Sequence, residues 1–248
     1  MSVLIISGTG TGVGKTVVTA AVGALARERG AAVAVVKPAQ TGTERHWGGG
    51  GNDTGDLAEV QRLSGVADLH EMAHYPHALS PEAAARVSGR PALRLDDVAR
   101  QVAKLAAERD LVLVEGAGGL LARFADDGWT IADLARVLAA PVLVVAVAGI
   151  GTLNHSALTL EVLAGRGLRL AGGLVVGCWP SHPNLAARCN VTDLETLSGR
   201  PLGGAVPAGA PGRSSFAEVA LHALGPEYGG RFDAANFRRE FGEATAPL

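Results

Sequence analysis

The chain has 248 residues and a mass of 25.2 kDa, room for one large domain or two small ones at about 100 to 200 residues each. With 48% hydrophobic and 19% charged residues and a mean hydropathy of +0.23, wholesale disorder is excluded. Lys and Arg total 22 against 24 Asp and Glu, giving a net charge of −2 with no run of like charge, so neither nucleic acid nor an anionic membrane surface is an expected partner. The stretch from Val137 to Leu153 is apolar but is interrupted by Pro141 and falls short of the ~20 residues a membrane-spanning helix needs. Met1 to Lys15 lacks the pattern of a signal peptide, and Cys178 and Cys189 lack metal or redox spacing, so a reducing, cytoplasmic location is expected.

In chain order, short β-branched runs alternate with Ala/Leu/Arg stretches of helical period, which is the pattern of βαβ units. Strands are predicted at Val3 to Ser7, Ala32 to Val36, Leu111 to Glu115, Val142 to Val147, Leu174 to Val176 and Leu202 to Val206. They are apolar throughout rather than alternating, as in a parallel sheet buried on both faces. Helices are predicted at Lys15 to Arg29, Asp56 to Leu63, Pro81 to Ser88, Leu95 to Glu108, Ile131 to Ala139, Asn154 to Gly165, Ala186 to Leu197 and Ser214 to Leu224. The fold class is therefore α/β: a mostly parallel sheet with helices on both faces, in one domain over residues 1 to 225. Glu44 to Gly55, with four consecutive glycines, reads as a mobile surface loop. Residues 226 to 248 form a polar tail whose amphipathic piece, Phe232 to Phe241, is either a docked helix or frayed.

Between the first strand and first helix stands Gly8-Thr9-Gly10-Thr11-Gly12-Val13-Gly14-Lys15-Thr16. Glycines there let successive backbone N–H groups face an anion, and the helix start adds partial positive charge. In such a loop Lys15 reaches the β- and γ-phosphates of a nucleotide and the Thr16 hydroxyl ligates Mg²⁺. The common spacing is G-x-x-x-x-G-K-[ST]; here Thr9 stands where the first glycine belongs and Gly8 is one residue too far. A glycine-rich connector or a loose dinucleotide loop are the other readings. Lysine usage sharpens the first: the chain holds only Lys15, Lys37 and Lys104, arginine supplying every other basic residue, and Lys15 and Lys37 both follow predicted strands. An ammonium can follow a moving phosphoryl group where a guanidinium fork imposes bidentate geometry.

Glu115 ends a predicted strand and opens Gly116-Ala117-Gly118-Gly119, so it belongs at the carboxyl edge of the sheet, where ligands of open α/β sheets bind. Asp56, at a helix start, can reach the same edge and complete with Thr16 and Glu115 an oxygen ligand set for a hard cation. A solvated strand-end carboxylate and a helix N-cap are the plain alternatives.

These segments, with Lys37-Pro38-Ala39-Gln40-Thr41-Gly42, Ser80-Pro81, Val114-Glu115-Gly116-Ala117-Gly118-Gly119 and Gly151-Thr152-Leu153-Asn154-His155, stand in the order and approximate spacing of the dethiobiotin synthetases, which the chain resembles over roughly residues 1 to 210. The longer phosphate loop is that family's own form. The resemblance implies a P-loop NTPase-like fold and an ATP- and Mg²⁺-dependent ligase that carboxylates 7,8-diaminononanoate with CO2. A carbamate attacks the γ-phosphate, and the second amine then closes the ureido ring. It implies catalytic roles for Lys15, Lys37 and Thr11, and a metal set of Thr16, Asp56 and Glu115. Nucleotide contacts are implied at Gly12, Val13, Gly14, Lys15, Thr16 and Val17, and substrate contacts at Lys37, Thr41 and Gly118. A homodimer is implied too, with Gly151, Thr152, Leu153 and Asn154 of the partner subunit holding the substrate carboxylate. Asn154 as a helix cap with free N–H groups beyond it suits an anion independently. After the strand ending at Val176, where the family commonly places a base-reading Asn, this chain has Gly177 and Cys178. The base is therefore expected against backbone at Gly177, Pro207, Ala208 and Gly209.

Three rivals share parts of this pattern. A ParA/MinD-type ATPase switch has a similar loop but carries a further lysine at the position of Gly10. Glutamine-dependent amidoligases need a second domain for which 248 residues leave no room. A dinucleotide module wants an acidic residue after the second strand, where Lys37 stands.

Overall fold

In the computed structural model, which describes residues 3–42 and 55–242, the apolar runs assemble into one seven-stranded sheet. Its strands are β1 (Val3–Gly8), β2 (Val33–Thr41), β3 (Asp68–Tyr75), β4 (Leu111–Glu115), β5 (Val142–Ala146), β6 (Val175–Trp179) and β7 (Gly204–Pro207), in the order β3-β2-β4-β1-β5-β6-β7. Every pairing is parallel. The helices are α1 (Lys15–Glu28), α2 (Gly55–Ser64), α3 (Pro81–Ser88), α4 (Leu95–Glu108), α5 (Ile131–Val137), α6 (Thr152–Gly165), α7 (Leu185–Ser198), α8 (Phe216–Ala223) and α9 (Ala234–Phe241).

Successive side chains of a strand point to opposite faces, and here both faces are buried. Leu4, Ile6, Val33, Val35, Leu113, Leu143, Val145 and Val175 join α1, α2 and α8 in one core. Their sequence neighbours Val3, Ile5, Ala34, Val36, Val112, Val114, Val142, Val144 and Val176 join α4, α5 and α7 in the other. That is why the strands carry no alternation. Buried almost without a break from Val18 to Ala26, α1 fits closely through small alanines and a glycine.

Three strands depart from expectation. β3 was not anticipated: its polar residues Asp68, His70, Glu71 and His74 sit on the sheet's edge, where backbone pairing with Ala34 through Thr41 of β2 outweighs an apolar pattern. Charged side chains on such an edge also discourage pairing with another chain. β2 runs on to Thr41, so Lys37 lies inside the strand rather than after it; Pro38 is tolerated because pairing to β4 has already ended at Val36. β6 likewise extends to Trp179 and takes in Gly177 and Cys178.

The segment Phe232 to Phe241 is helical over Ala234–Phe241, started by the Asp233 carboxylate accepting the Asn236 N–H at 2.9 Å. Phe237 and Phe241 meet the Trp179 ring edge-on at centroid distances of 4.9 and 5.6 Å, and Arg238 pairs with Glu195 of α7. Most of the expected loop Glu44 to Gly55 lies outside the described residues.

β6 and the phosphate loop touch backbone to backbone. A β-carbon on Gly177 would stand 2.0 Å from the Val13 carbonyl oxygen, and one on Gly14 2.6 Å from that of Gly177. Gly14 also has φ 98°, a left-handed conformation that disfavours any side chain. Gly177→Ala should therefore destabilise the fold by about 1–3 kcal/mol through overpacking. At about 2–4 °C per kcal/mol for a chain of this size, thermal unfolding will resolve the loss, and an unchanged melting temperature would refute this close contact.

Candidate active site

Strand order reverses around β1 and β4, and the carboxyl ends of β1, β2 and β4 open there on a cleft of about 700 Å³. Such a switch point is where loops from adjacent strands diverge and leave a crevice. Its walls are the phosphate loop (Thr11, Gly12, Gly14 to Val17), the end of β2 (Lys37, Ala39 to Gly42), Asp56, the turn before α3 (Ala78 to Pro81) and the stretch after β4 (Glu115, Ala117 to Gly119).

At its floor lies a charge cluster. The Lys37 ammonium, 3% exposed, donates to Glu115 Oε1 at 2.8 Å and to the Gly116 carbonyl at 3.2 Å, and pairs with Asp56 Oδ2 at 2.5 Å. Thr16 Oγ1 donates to the same Glu115 oxygen at 2.9 Å. Lys15 Nζ folds back over its own loop to the Gly10 carbonyl at 2.8 Å. Burial opposes the charge on Lys37, but the Glu115 and Asp56 carboxylates overcome it and raise its pKa. For Lys15 burial wins, with repulsion from Lys37 added, and its pKa falls to about 8. Burial also opposes the charge on Asp56, yet Lys37 outweighs it and holds that carboxyl below its usual range. Two ammonium groups thus stand at the bottom of a cleft against two carboxylates and a helix start. The arrangement can draw an oligophosphate to the loop and neutralise charge developing at its far end.

The residues expected at the phosphates, metal and substrate that converge here are Thr11, Gly12, Gly14, Lys15, Thr16, Val17, Lys37, Thr41, Asp56, Glu115 and Gly118. Thr11 Oγ1 lies beside Gly118, 3.5 Å from where a β-carbon on that glycine would be. Val13 is buried beneath the loop against Gly8 and Gly177. Gly177 is itself buried, whereas Pro207, the last residue of β7, and Gly209 beyond it are exposed. Gln40, Ala39, Leu79 and Ala122 also line the cleft and were not expected there; following β2 past Pro38 would have found the first two.

Gly151, Thr152, Leu153 and Asn154 do not line this cleft. The expected cap is corrected: Gly151, at φ 89°, precedes the helix, α6 starts at Thr152, and Asn154 stands within its first turn. A tight Gly149–Gly151 turn, with the Thr152 N–H on the Gly149 carbonyl at 3.3 Å, lets the helix begin earlier. Thr152 is fully buried, while Gly151, Asn154 and His155 face outward beside Ile150, an isoleucine 89% exposed. Asn190 steadies this turn from α7, donating to the Ala148 and Gly149 carbonyls at 2.7 and 3.1 Å.

Comparison with known proteins follows the same lines. A family model described as an AAA domain matches residues 2–211. The ATP-dependent dethiobiotin synthetase BioD of Parafrankia sp. is 59% identical over 97% of this chain and 99% of its own length, and that of Streptomyces coelicolor 54% identical over 96% and 98%. Among solved structures, the septum site-determining protein MinD of Pyrococcus horikoshii, complexed with Mg-ADP, superposes with a TM-score of 0.55. It is 18% identical over 93% of this chain and 91% of that one, a likeness of fold alone. Similarity to these synthetases over nearly the whole of both chains, at 59 and 54% identity, makes this chain a member of the ATP-dependent dethiobiotin synthetase family.

Proposed function

We propose that the cleft carboxylates 7,8-diaminononanoate with CO2 at the expense of ATP and closes the ureido ring to dethiobiotin, as a ligase. The observation that carries this reading is the buried Lys37 ammonium, gripped by Asp56 and Glu115 beside the phosphate loop. One substrate amine adds to CO2 and loses a proton, giving a carbamate. A carbamate oxygen then bonds to the γ-phosphorus as the bond to ADP breaks, forming a carbamic–phosphoric anhydride. The second amine attacks the anhydride's carbonyl carbon, phosphate leaves with the C–O bonding pair, and the amine proton passes to solvent. Phosphoryl transfer asks the protein for positioning and charge stabilisation. Lys15 and the backbone amides from Gly12 to Thr16 orient the triphosphate, while Lys37 faces both the carbamate and the transferring oxygens. Thr11, Thr41 and Gly118 flank the substrate.

Thr16, Asp56 and Glu115 are hard oxygen donors converging on one point, with Thr16 and Lys37 sharing a single Glu115 oxygen, and they fit Mg²⁺. When bound there, the ion neutralises phosphate charge. The anhydride must be kept from water, and we assign that enclosure to a homodimer in which Gly151 to Asn154 of one chain close the other's cleft. The outward-facing start of α6 supports this, since its free N–H groups suit a carboxylate.

The direct test is incubation with ATP, Mg²⁺, bicarbonate and diaminononanoate, with dethiobiotin followed by mass. In that assay Lys37→Ala should lower kcat by about 10²-fold or more, the scale of losing one charge-stabilising group, with little change in ATP binding. Lys37→Arg should rescue poorly because a guanidinium does not fit the Asp56–Glu115 pocket. Near-normal turnover of Lys37→Ala would remove it from the site.

Mixing Lys37→Ala chains with Asn154→Ala chains tests the shared site. Each mixed dimer holds one cleft with neither change, so activity should rise above that of either variant alone; no rise on mixing would refute the composite site.

Base selection should be lax. Gly177 has no side chain, and the three asparagines that follow β6 are committed elsewhere: Asn184 accepts the Ala187 N–H as the α7 cap, Asn190 holds the Ala148 turn, and Asn236 accepts from Arg239 on α9. Strong discrimination depends on buried side-chain groups that a wrong base leaves unpaired. GTP, CTP and UTP are therefore expected to support the reaction within about tenfold of ATP in kcat/KM, and a preference for ATP above roughly a thousandfold would contradict this account.

A further inference from the structure

Gln40 has none of the roles assigned above, yet it is buried at the end of β2 and lines the cleft. Its Oε1 accepts the backbone N–H of Asp56 at 3.0 Å, while its Nε2 donates to the Thr41 carbonyl at 3.2 Å. The carboxamide also packs on the start of α2: a β-carbon on Gly55 would lie 3.6 Å from Gln40 Cδ and Oε1. The first N–H groups of a helix have no acceptor within it, and here one is met from a neighbouring strand.

Asp56 is consequently gripped twice by β2. Gln40 takes its backbone N–H and Lys37 takes its carboxylate at 2.5 Å. A backbone anchor alone leaves the side chain free to turn, and an ion pair alone leaves the helix start free to shift. The two together fix where the carboxylate stands relative to Thr16 and Glu115.

We propose that Gln40 is a positioning residue for the reaction: through the Asp56 N–H it fixes the start of α2 so that the Asp56 carboxylate stays on Lys37 at the phosphate site. This rests on the function proposed above for the cleft. Gln40→Met removes the acceptor at similar volume, whereas Gln40→Glu keeps an acceptor at the same reach. Both are made in the parent chain and in Asp56→Asn, and are compared by hydrogen exchange of the Asp56 amide, by the ¹⁵N resonance of Lys37 Nζ, and by dethiobiotin formation.

In Gln40→Met the Asp56 amide should exchange about tenfold faster or more, as expected on losing its acceptor, and the Lys37 resonance should move. Turnover should fall about tenfold, while KM for ATP changes less than about twofold because the phosphate loop is untouched. Gln40→Glu should restore the slow exchange. In the Asp56→Asn background Gln40→Met should move neither turnover nor the Lys37 resonance further, since residues acting through one another are not additive. Unchanged exchange in Gln40→Met, or an equal further loss on top of Asp56→Asn, would overturn the proposal. A parent chain that makes no dethiobiotin would overturn the functional reading instead, leaving the positioning role to be judged by the exchange and the Lys37 resonance, neither of which needs turnover.

Discussion

The structure is organised around one buried cation. Removing the Lys37 ammonium from water is costly unless it is paired and hydrogen-bonded, and three groups meet to satisfy it: Asp56 from α2, and Glu115 and the Gly116 carbonyl from the end of β4. Withdrawing one partner would leave uncompensated charge in the interior, so the strand, the helix start and the turn after β4 are bound to one arrangement. That arrangement also sets Glu115 against Thr16 in the first turn of α1. The charge network and the phosphate loop are therefore one construction.

The sheet makes this possible. β2 and β1 flank β4, so the loops leaving their carboxyl ends enter one crevice although Lys15, Lys37 and Glu115 are far apart in sequence. The opposite half of the sheet serves the loop from behind, where the bare backbone of Gly177 sits under Val13 and Gly14. Further out, Trp179 leaves the end of β6 to pack on Phe237 and Phe241, so the C-terminal helix is fastened to the same strand that backs the phosphate loop. A disturbance of either contact would be felt along β6.

The likeness to MinD is one of fold alone. The two chains superpose at 18% identity, which is a statement about architecture. What this chain adds to that shared fold is local. At the floor of its cleft stands a second lysine held by two carboxylates.

The sequence by itself determined the parallel sheet, because strands buried on both faces must be apolar throughout, and the phosphate loop, because its chemistry resides in contiguous glycines, a lysine and a threonine. It also singled out Lys37 and Glu115, since a rare lysine and a strand-end carboxylate are conspicuous in a chain that otherwise uses arginine. Only the tertiary structure decided the rest. β3 escaped detection because an edge strand is specified by its partner's backbone rather than by its own side chains. The reach of β2 to Thr41, and with it the place of Gln40, depended on pairing to that same unforeseen strand. The start of α6 at Thr152 was set by the backbone of a glycine turn, whereas side-chain identity had pointed to Asn154. Residues whose role lies in their own chemistry were legible one at a time, while those whose role lies in what they touch became visible only when distant segments were brought within hydrogen-bonding distance.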